Sequence, residues 1–315
     1  MILVTGAAGF IGSHVCEALV KEEKQVIGID NFNDYYDPHA KEKNIEAVKG
    51  SKYFALYRED IKNTDSLKKI FKDNKIEKII HLAARVGVRP SISMPDTYIK
   101  DNIQGTLNML ECAKENGIKN FVFGSSSSVY GGNKKIPFSE NDGVNNQISP
   151  YGFTKRSCEL LCNTYRNLYG INTACLRFFT VYGPRGRPDM AIYKFTKMIN
   201  EGKEIEVYGN GTSKRDYTYV SDIVKGILLA SEKNTGFEII NLGNNSPVML
   251  KGVITLIEKN LGKRAKIKMA EKQQGDMEVT YADVSKAKKL LGWSSEVKFD
   301  EGIKRFVGWF KDTRI

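Results

Sequence analysis

The chain opens Ile2-Leu3-Val4-Thr5-Gly6-Ala7-Ala8-Gly9-Phe10-Ile11-Gly12, an apolar run that breaks into glycines at 6, 9 and 12 and resumes with helical spacing through Val20. Glycine permits a tight turn and close backbone approach, so a strand, such a turn and a helix together offer helix N-terminal amides to a pyrophosphate. The spacing G-x-x-G-x-x-G departs from the usual dinucleotide pattern, and plain turn chemistry would use the same residues. The second apolar run favours the nucleotide. Asp30 closes that run, Val26 to Ile29, where an acid accepts hydrogen bonds from adenosine ribose hydroxyls and repels a 2′-phosphate, so NAD is expected over NADP.

Apolar runs then alternate with amphipathic stretches: Tyr53 to Tyr57, then Leu67 to Phe71; Ile79 to Ala83, then Tyr98 to Ala113; Phe121 to Phe123; Ala174 to Phe179. Short runs bounded by helical patterns imply parallel strands buried on both faces. The expected fold is therefore α/β, a Rossmann-type doubly wound parallel sheet. Asp60-Ile61 closes the third strand, placing a carboxylate near the adenine. His81-Leu82-Ala83-Ala84 closes the fourth, where small residues let a nucleotide pass or simply pack. With Phe10, Ile11 and Asn31 these complete the expected cofactor set.

After Tyr182 the texture turns to Gly, Pro and Arg loops with shorter helices, and Gly236 to Leu242 reads as one more strand returning to the sheet. The expected division is a nucleotide-binding domain over 1–176, rejoined by 220–243, and a smaller substrate lobe from 177–219 and 244–315. At 315 residues with 41% hydrophobic and 27% charged content, the chain can bury a large core without staples. Its net charge of +11 raises the question of nucleic acid, but the lysines are interspersed with acids, as on solvated helix faces, so none is expected. No apolar run has the length of a membrane span and no leader precedes Ile2, so a cytoplasmic protein without a membrane role is expected. Five cysteines without a C-x-x-C pair and three scattered histidines offer no metal-ligand spacing, and no metal is expected.

The chemistry is concentrated in Tyr151-Gly-Phe-Thr-Lys155. A tyrosine and a lysine four apart on a helix share a face. The ammonium can stabilise a tyrosinate and bring a phenol pKa down from about 10, making a general base without histidine or metal. Ser149-Pro150 provides an N-cap and a proline at the first helical position, so that helix begins at Tyr151. Upstream lies Ser125-Ser126-Ser127-Ser128, in which Ser126 and Ser128, one strand step apart, are expected on one face as hydroxyl partners.

These residues resemble the extended short-chain dehydrogenase/reductases over nearly the whole chain, from Thr5-Gly6 to Gly292-Trp293, and within them the nucleotide-sugar 4-epimerases. The resemblance implies Tyr151 as base, Lys155 as its partner and ribose ligand, Ser126 as the catalytic serine and Asn102 as the helix asparagine at the cofactor. Relatives that dehydrate or decarboxylate their sugars carry acidic residues before Val129-Tyr130-Gly131. This chain has serines there, which leaves reversible oxidation and return of hydride, hence epimerisation. The segments 31–38, 87–91 and 177–191 look like the branch acting on UDP-glucuronate more than the UDP-glucose/UDP-galactose branch.

Carried over, the resemblance implies sugar contacts from Val88, Arg89, Ser126, Ser127, Ser128, Tyr151, Thr180, Arg187 and Met190, uracil contacts from Val207 and Tyr208, and diphosphate contacts from Arg215, with Asp276 nearby. Arg187 is expected on the sugar carboxylate; its alternatives are a pair with Asp189 or a solvated position. A non-catalytic NAD-binding sensor is a second class that the intact Ser126, Tyr151 and Lys155 argue against. Leu107, Leu110, Leu160, Leu161 and Leu168 widen the apolar faces of 98–115 and 151–169, helices that relatives pair as a four-helix bundle, so a homodimer is expected.

Overall fold

Along Ile2-Leu3-Val4 the side chains alternate between two buried faces of a sheet, and all three are in the core. The computed structural model describes residues 1–233, 236–271 and 278–313. In chain order its strands are β1 (Ile2–Thr5), β2 (Val26–Ile29), β3 (Phe54–Tyr57), β4 (Lys78–His81), β5 (Asn120–Ser126), β6 (Asn172–Phe178), β7 (Thr180–Tyr182), β8 (Glu204–Tyr208), β9 (Lys214–Tyr219), β10 (Phe237–Leu242), β11 (Pro247–Met249), β12 (Lys266–Ala270) and β13 (Val279–Thr280). The helices are α1 (Phe10–Lys21), α2 (Pro38–Asn44), α3 (Thr64–Asp73), α4 (Val88–Ser93), α5 (Pro95–Tyr98), α6 (Gly105–Glu115), α7 (Pro150–Tyr169), α8 (Ala191–Asn200), α9 (Val220–Glu232), α10 (Leu250–Leu261), α11 (Ser285–Leu291) and α12 (Phe299–Thr313).

The main sheet runs β10-β6-β5-β4-β1-β2-β3, parallel throughout. Strand order reverses between β1 and β4, which opens a crevice at their carboxyl ends. On one face Leu3, Ile79, Phe121 and Phe123 pack with Leu67, Met109, Leu110, Cys158 and Cys162 from α3, α6 and α7. On the other, Val4, Ile80, Val122 and Leu176 pack with Val15, Leu19, Ile223 and Ile227 from α1 and α9. This second core continues through Tyr193, Tyr217, Ile257 and Phe306, so the elements after Tyr182 share their interior with the sheet. There β9 pairs with β7, β11 and β13, and β8 pairs with β12.

Two expectations are corrected. The helix expected over Tyr98 to Ala113 is interrupted by a π-helical stretch, Ile99–Gln104, between α5 and α6. Ser128 does not share a strand face with Ser126. The strand ends at Ser126, whose Oγ accepts from the Ser128 amide at 3.1 Å and caps one turn of 3-10 helix, Ser127–Tyr130; a side chain competing for the next amides ends a ladder. Val207, which the resemblance brings to uracil by its backbone edge, lies in β8 with its side chain in the core and its partner residue Met269 on β12. Asp276 and the neighbouring Gln273-Gln274 lie outside the described residues.

Candidate active site

A cleft of about 420 Å³ opens over the carboxyl ends of β1, β2, β4, β5 and β6. At its nucleotide end Gly6 has a φ of +69°, and a Cβ there would lie 2.9 Å from the Ala83 nitrogen; one on Gly12 would lie 2.0 Å from the Gly6 oxygen. A side chain fits at neither position. Gly9 N-caps α1 without a side-chain acceptor, so the first amides of the helix remain for an anion.

Asp30, almost fully buried, accepts from the Ala8 amide at 3.1 Å and the Phe32 amide at 2.8 Å. Burial holds its carboxyl above the usual range, against the pull of the Lys41 ammonium and those amides. Asn31 donates to Asp60 at 2.9 Å. The Ala83 amide donates to Thr5 Oγ1 at 3.1 Å, which brings the β4 loop against the glycine turn. A turn that excludes Cβ atoms, open helix amides and a buried acid fit a dinucleotide.

Gly6, Gly9, Phe10, Ile11, Gly12, Asp30, Asn31, Asp60, Ile61, Leu82, Ala83 and Ala84 all line the cleft, as do Val88, Ser126, Ser127, Ser128, Tyr151, Lys155, Thr180, Arg187 and Met190. Asn102 stands behind the wall: its amide group exchanges hydrogen bonds with the backbone of Arg85 at 2.7 and 3.0 Å and donates to Thr154 at 3.0 Å. It braces the β4 loop. Arg89, Tyr208 and Arg215 are not among the lining residues. The Arg89 guanidinium lies over the Tyr208 ring at 5.2 Å, and Arg215 donates to the Lys214 carbonyl at 2.9 Å.

At the reactive end, α7 starts as its sequence dictates, with Ser149 accepting from the Gly152 amide at 3.1 Å and Pro150 in the first turn. The Tyr151 ring meets Tyr98 edge-on, and the Tyr151 amide donates to Ser91 at 3.1 Å. Burial raises the Tyr151 phenol above 10; the Ser126 hydrogen bond and then the Arg187 charge oppose that rise. This corrects the expectation that Lys155 brings the phenol down. Lys155 donates to the Gly124 carbonyl at 2.6 Å over the Phe123 ring, and burial lowers it to about 8. Arg187 forks onto Asp189, Nε to Oδ1 at 2.9 Å and Nη2 to Oδ2 at 2.7 Å, so the alternative of an Asp189 pair holds while the guanidinium still faces the cleft.

Sequence reasoning missed Tyr35, Tyr36, Lys41 and Arg85, which also line the cleft. Tyr35 lies 5.7 Å from the Arg187 guanidinium, and Lys41 donates to Asn33 at 2.8 and 3.0 Å. The signal was the polar, aromatic composition of 31–38, dense for a loop after a buried strand.

Tyr151 and Lys155 one helical turn apart at the mouth of a dinucleotide cleft is the arrangement of an extended short-chain dehydrogenase/reductase. The chain belongs to the family described as GDP-mannose 4,6 dehydratase, whose model matches residues 3–306. It is similar to a UDP-glucuronate 4-epimerase of Thermodesulfobacterium geofontis, 48% identical over 311 residues that cover 98% of this chain and 96% of that one. It is similar too to the crystal structure of UDP-glucuronic acid 4-epimerase from Bacillus cereus in complex with UDP-glucuronic acid and NAD, with TM-score 0.93, 40% identity and 99% of each chain covered. UDP-glucose 4-epimerase from Thermotoga maritima with UDP-glucose aligns with TM-score 0.92 and 33% identity, over 100% of this chain and 99% of that one.

Proposed function

We propose that this chain is an NAD-dependent isomerase that inverts C4 of a UDP-sugar, with UDP-glucuronate and UDP-galacturonate as its substrate pair. The carrying observation is one cleft that joins a glycine turn and Asp30 at one end to Tyr151, Ser126 and Arg187 at the other. Bound NAD supplies a hydride acceptor that also gives the hydride back. Gly6, Gly9 and Gly12 would make room for its pyrophosphate, Asp30 would accept from its ribose, and Lys155 is assigned to the second ribose. Tyr151 takes the proton of the 4-hydroxyl and later returns it, oriented by Ser126 and Ser128, while the Arg187 charge favours the phenolate. A 4-keto uronate is a β-keto acid that loses CO2 when its carboxylate aligns with the carbonyl π system. Arg187 and Thr180 are assigned to hold that carboxylate out of alignment. Arg89, Tyr208 and Arg215 are assigned to the uridine diphosphate.

The exposed Phe153, Leu160 and Leu168 on α7 support a homodimer built on α6 and α7; a strictly monomeric mass by light scattering at micromolar protein would exclude it. Among the described residues no helix is long and apolar enough to cross a membrane, and all five cysteines are buried free thiols, which supports a cytoplasmic location. The purified protein is incubated separately with UDP-glucuronate, UDP-glucose and UDP-xylose, with and without added NAD, and the sugars are resolved. UDP-galacturonate should form fastest; a preference for UDP-glucose places the chain in the glucose branch, and no turnover of any of them refutes epimerisation.

A further inference from the structure

Tyr151 and Lys155 face the cleft, yet the next residue on their stripe, Glu159, lies behind it and is fully buried. Positions four apart on a helix stack one above another. The Glu159 carboxylate receives four hydrogen bonds. Arg177 of β6 gives two, Nε to Oε1 at 2.8 Å and Nη2 to Oε2 at 2.9 Å; Ser125 Oγ donates to Oε1 at 2.7 Å, and Arg156 Nη1 to Oε2 at 3.0 Å. Arg177, itself 1% exposed, lies over the Tyr130 ring at 4.7 Å, and the Tyr130 hydroxyl donates to Asn241 of β10 at 2.6 Å. A buried ion pair is often no more stabilising than well-packed apolar residues of the same volume. Stability alone therefore leaves this cluster without a reason.

Its neighbours supply one. Ser125 immediately precedes Ser126, the hydroxyl that bonds Tyr151, so the Ser125 bond fixes the end of β5 from which the serine turn departs. On the other side stands Lys155, which meets a carbonyl and an aromatic ring. The ionisable groups acting on Lys155 are Cys158, Glu159 and Cys162 from its own helix and Cys175 from β6, while Lys155 in turn acts on His81 of β4. Burial pushes the Cys158 thiol up to about 11 and the Cys175 thiol well above its usual value, and holds the His81 imidazole down at about 3. All three are neutral at physiological pH. The Glu159 carboxylate is thus the acid that offsets the Arg177 and Arg156 charges near this ammonium in a dry interior.

We propose that Glu159 is a positioning residue that sets both partners of Tyr151 at once, placing Ser126 through its bond to Ser125 and supplying the counter-charge that keeps Lys155 protonated. The inference rests on the reading that Tyr151 and Lys155 carry the chemistry. Burial already brings Lys155 down to about 8, with Glu159 among the groups opposing that fall; without the carboxylate the ammonium gives up its proton nearer neutrality.

The test is a titration of ligand-free protein carrying ε-13C-labelled lysine, with the Lys155 resonance identified by its loss in Lys155→Met. Glu159→Gln should move the Lys155 midpoint down by about one pH unit. Because that variant leaves a buried arginine unpaired, Glu159→Gln/Arg177→Met is measured beside it. The double variant lacks both charges and should fold; because the lost Arg177 charge offsets the lost carboxylate, its midpoint should return toward the parent's. Ser125→Ala should leave the midpoint in place yet lower kcat roughly tenfold with KM little changed. An unmoved midpoint in folded Glu159→Gln overturns the counter-charge, as does a fall of a full unit in the double variant, and parent-like kcat in Ser125→Ala overturns the placement of Ser126. Turnover of UDP-glucuronate by the parent is followed in parallel: if it fails while the midpoint moves, the proposed function falls and the Glu159–Lys155 relation stands.

Discussion

Replacing Arg187 by alanine separates a site built for a carboxylate from one built for a neutral sugar. The side chain lies in the cleft with Nε and Nη2 committed to Asp189, which leaves Nη1 for substrate. Losing one charge-assisted hydrogen bond to the uronate removes about 1.5–3 kcal/mol. The substitution also strands the Asp189 carboxylate, turning a neutral pair into a negative charge beside a negative substrate. Asp189 is 44% exposed, so solvent screening keeps that repulsion below about 1 kcal/mol. Together the terms predict kcat/KM for UDP-glucuronate lower by roughly 10- to 900-fold, and neither applies to UDP-glucose. Kinetics on both substrates, with the nucleotide sugars resolved after each reaction, measure the difference. Arg187→Ala/Asp189→Ala should regain the repulsive share, and a carboxylate freed to rotate should raise the yield of UDP-4-keto-pentose per turnover. Equal losses on both substrates, with no pentose, would make Arg187 structural and return the carboxylate to Thr180 and the serine turn.

Tyr151→Phe should abolish nearly all turnover while leaving NAD and UDP-sugar binding by calorimetry close to the parent, because only a proton acceptor is lost; activity within tenfold of the parent would remove Tyr151 from its role. Asp30→Ala should weaken NAD retention and relax discrimination against NADP, a lost acceptor and a lost repulsion acting together, and an unchanged preference would show the acid to be uninvolved. His81 sits between Thr5 at 2.7 Å and Thr106 at 3.1 Å, and burial followed by the Lys155 charge lowers it from 6.5 to about 3. The unfolded chain takes up that proton first, so stability is whole above pH 6.5 and falls as pH drops toward 3, by about 2 kcal/mol at pH 5. Urea unfolding across this range should show a shallower acid slope for His81→Gln; parallel slopes would refute the assignment.

The fold was legible because β1, β2 and the apolar stretches of β4 and β5 at the centre of the main sheet are buried on both faces, and because Gly6 and Gly12 admit one local geometry. The cleft's nucleotide end followed from that, since Asp30, Asp60 and Ala83 stand at strand ends. Less legible was whatever depends on partners distant in sequence. Four serines in a row do not reveal that Ser126 caps the turn carrying Ser128. Arg187 was visible as a charge facing the sugar, but its fork onto Asp189 depends on a side-chain geometry that spacing does not encode. Glu159 was within reach, since it extends the 151–155 spacing by one more turn; its bond to Ser125 joins elements 34 positions apart, which no periodicity reports.

The π-helical stretch between α5 and α6 acts on the molecule as a phase shifter. Each residue of an α-helix advances the side chain by about 100° around the axis, and a π turn holds one residue more than the α turn it replaces. Its presence lets Tyr98 face the reactive end while Met109 and Leu110, further along, still point into the core beneath the sheet. Were the same residues wound as a plain α-helix, without the wide turn, every side chain beyond it would swing by about 100°. Asn102 would lose the backbone of Arg85, and the buried Met109 and Leu110 would turn out of their core contacts. That one-residue surplus keeps two surfaces of a single helical rod aimed at two separate targets.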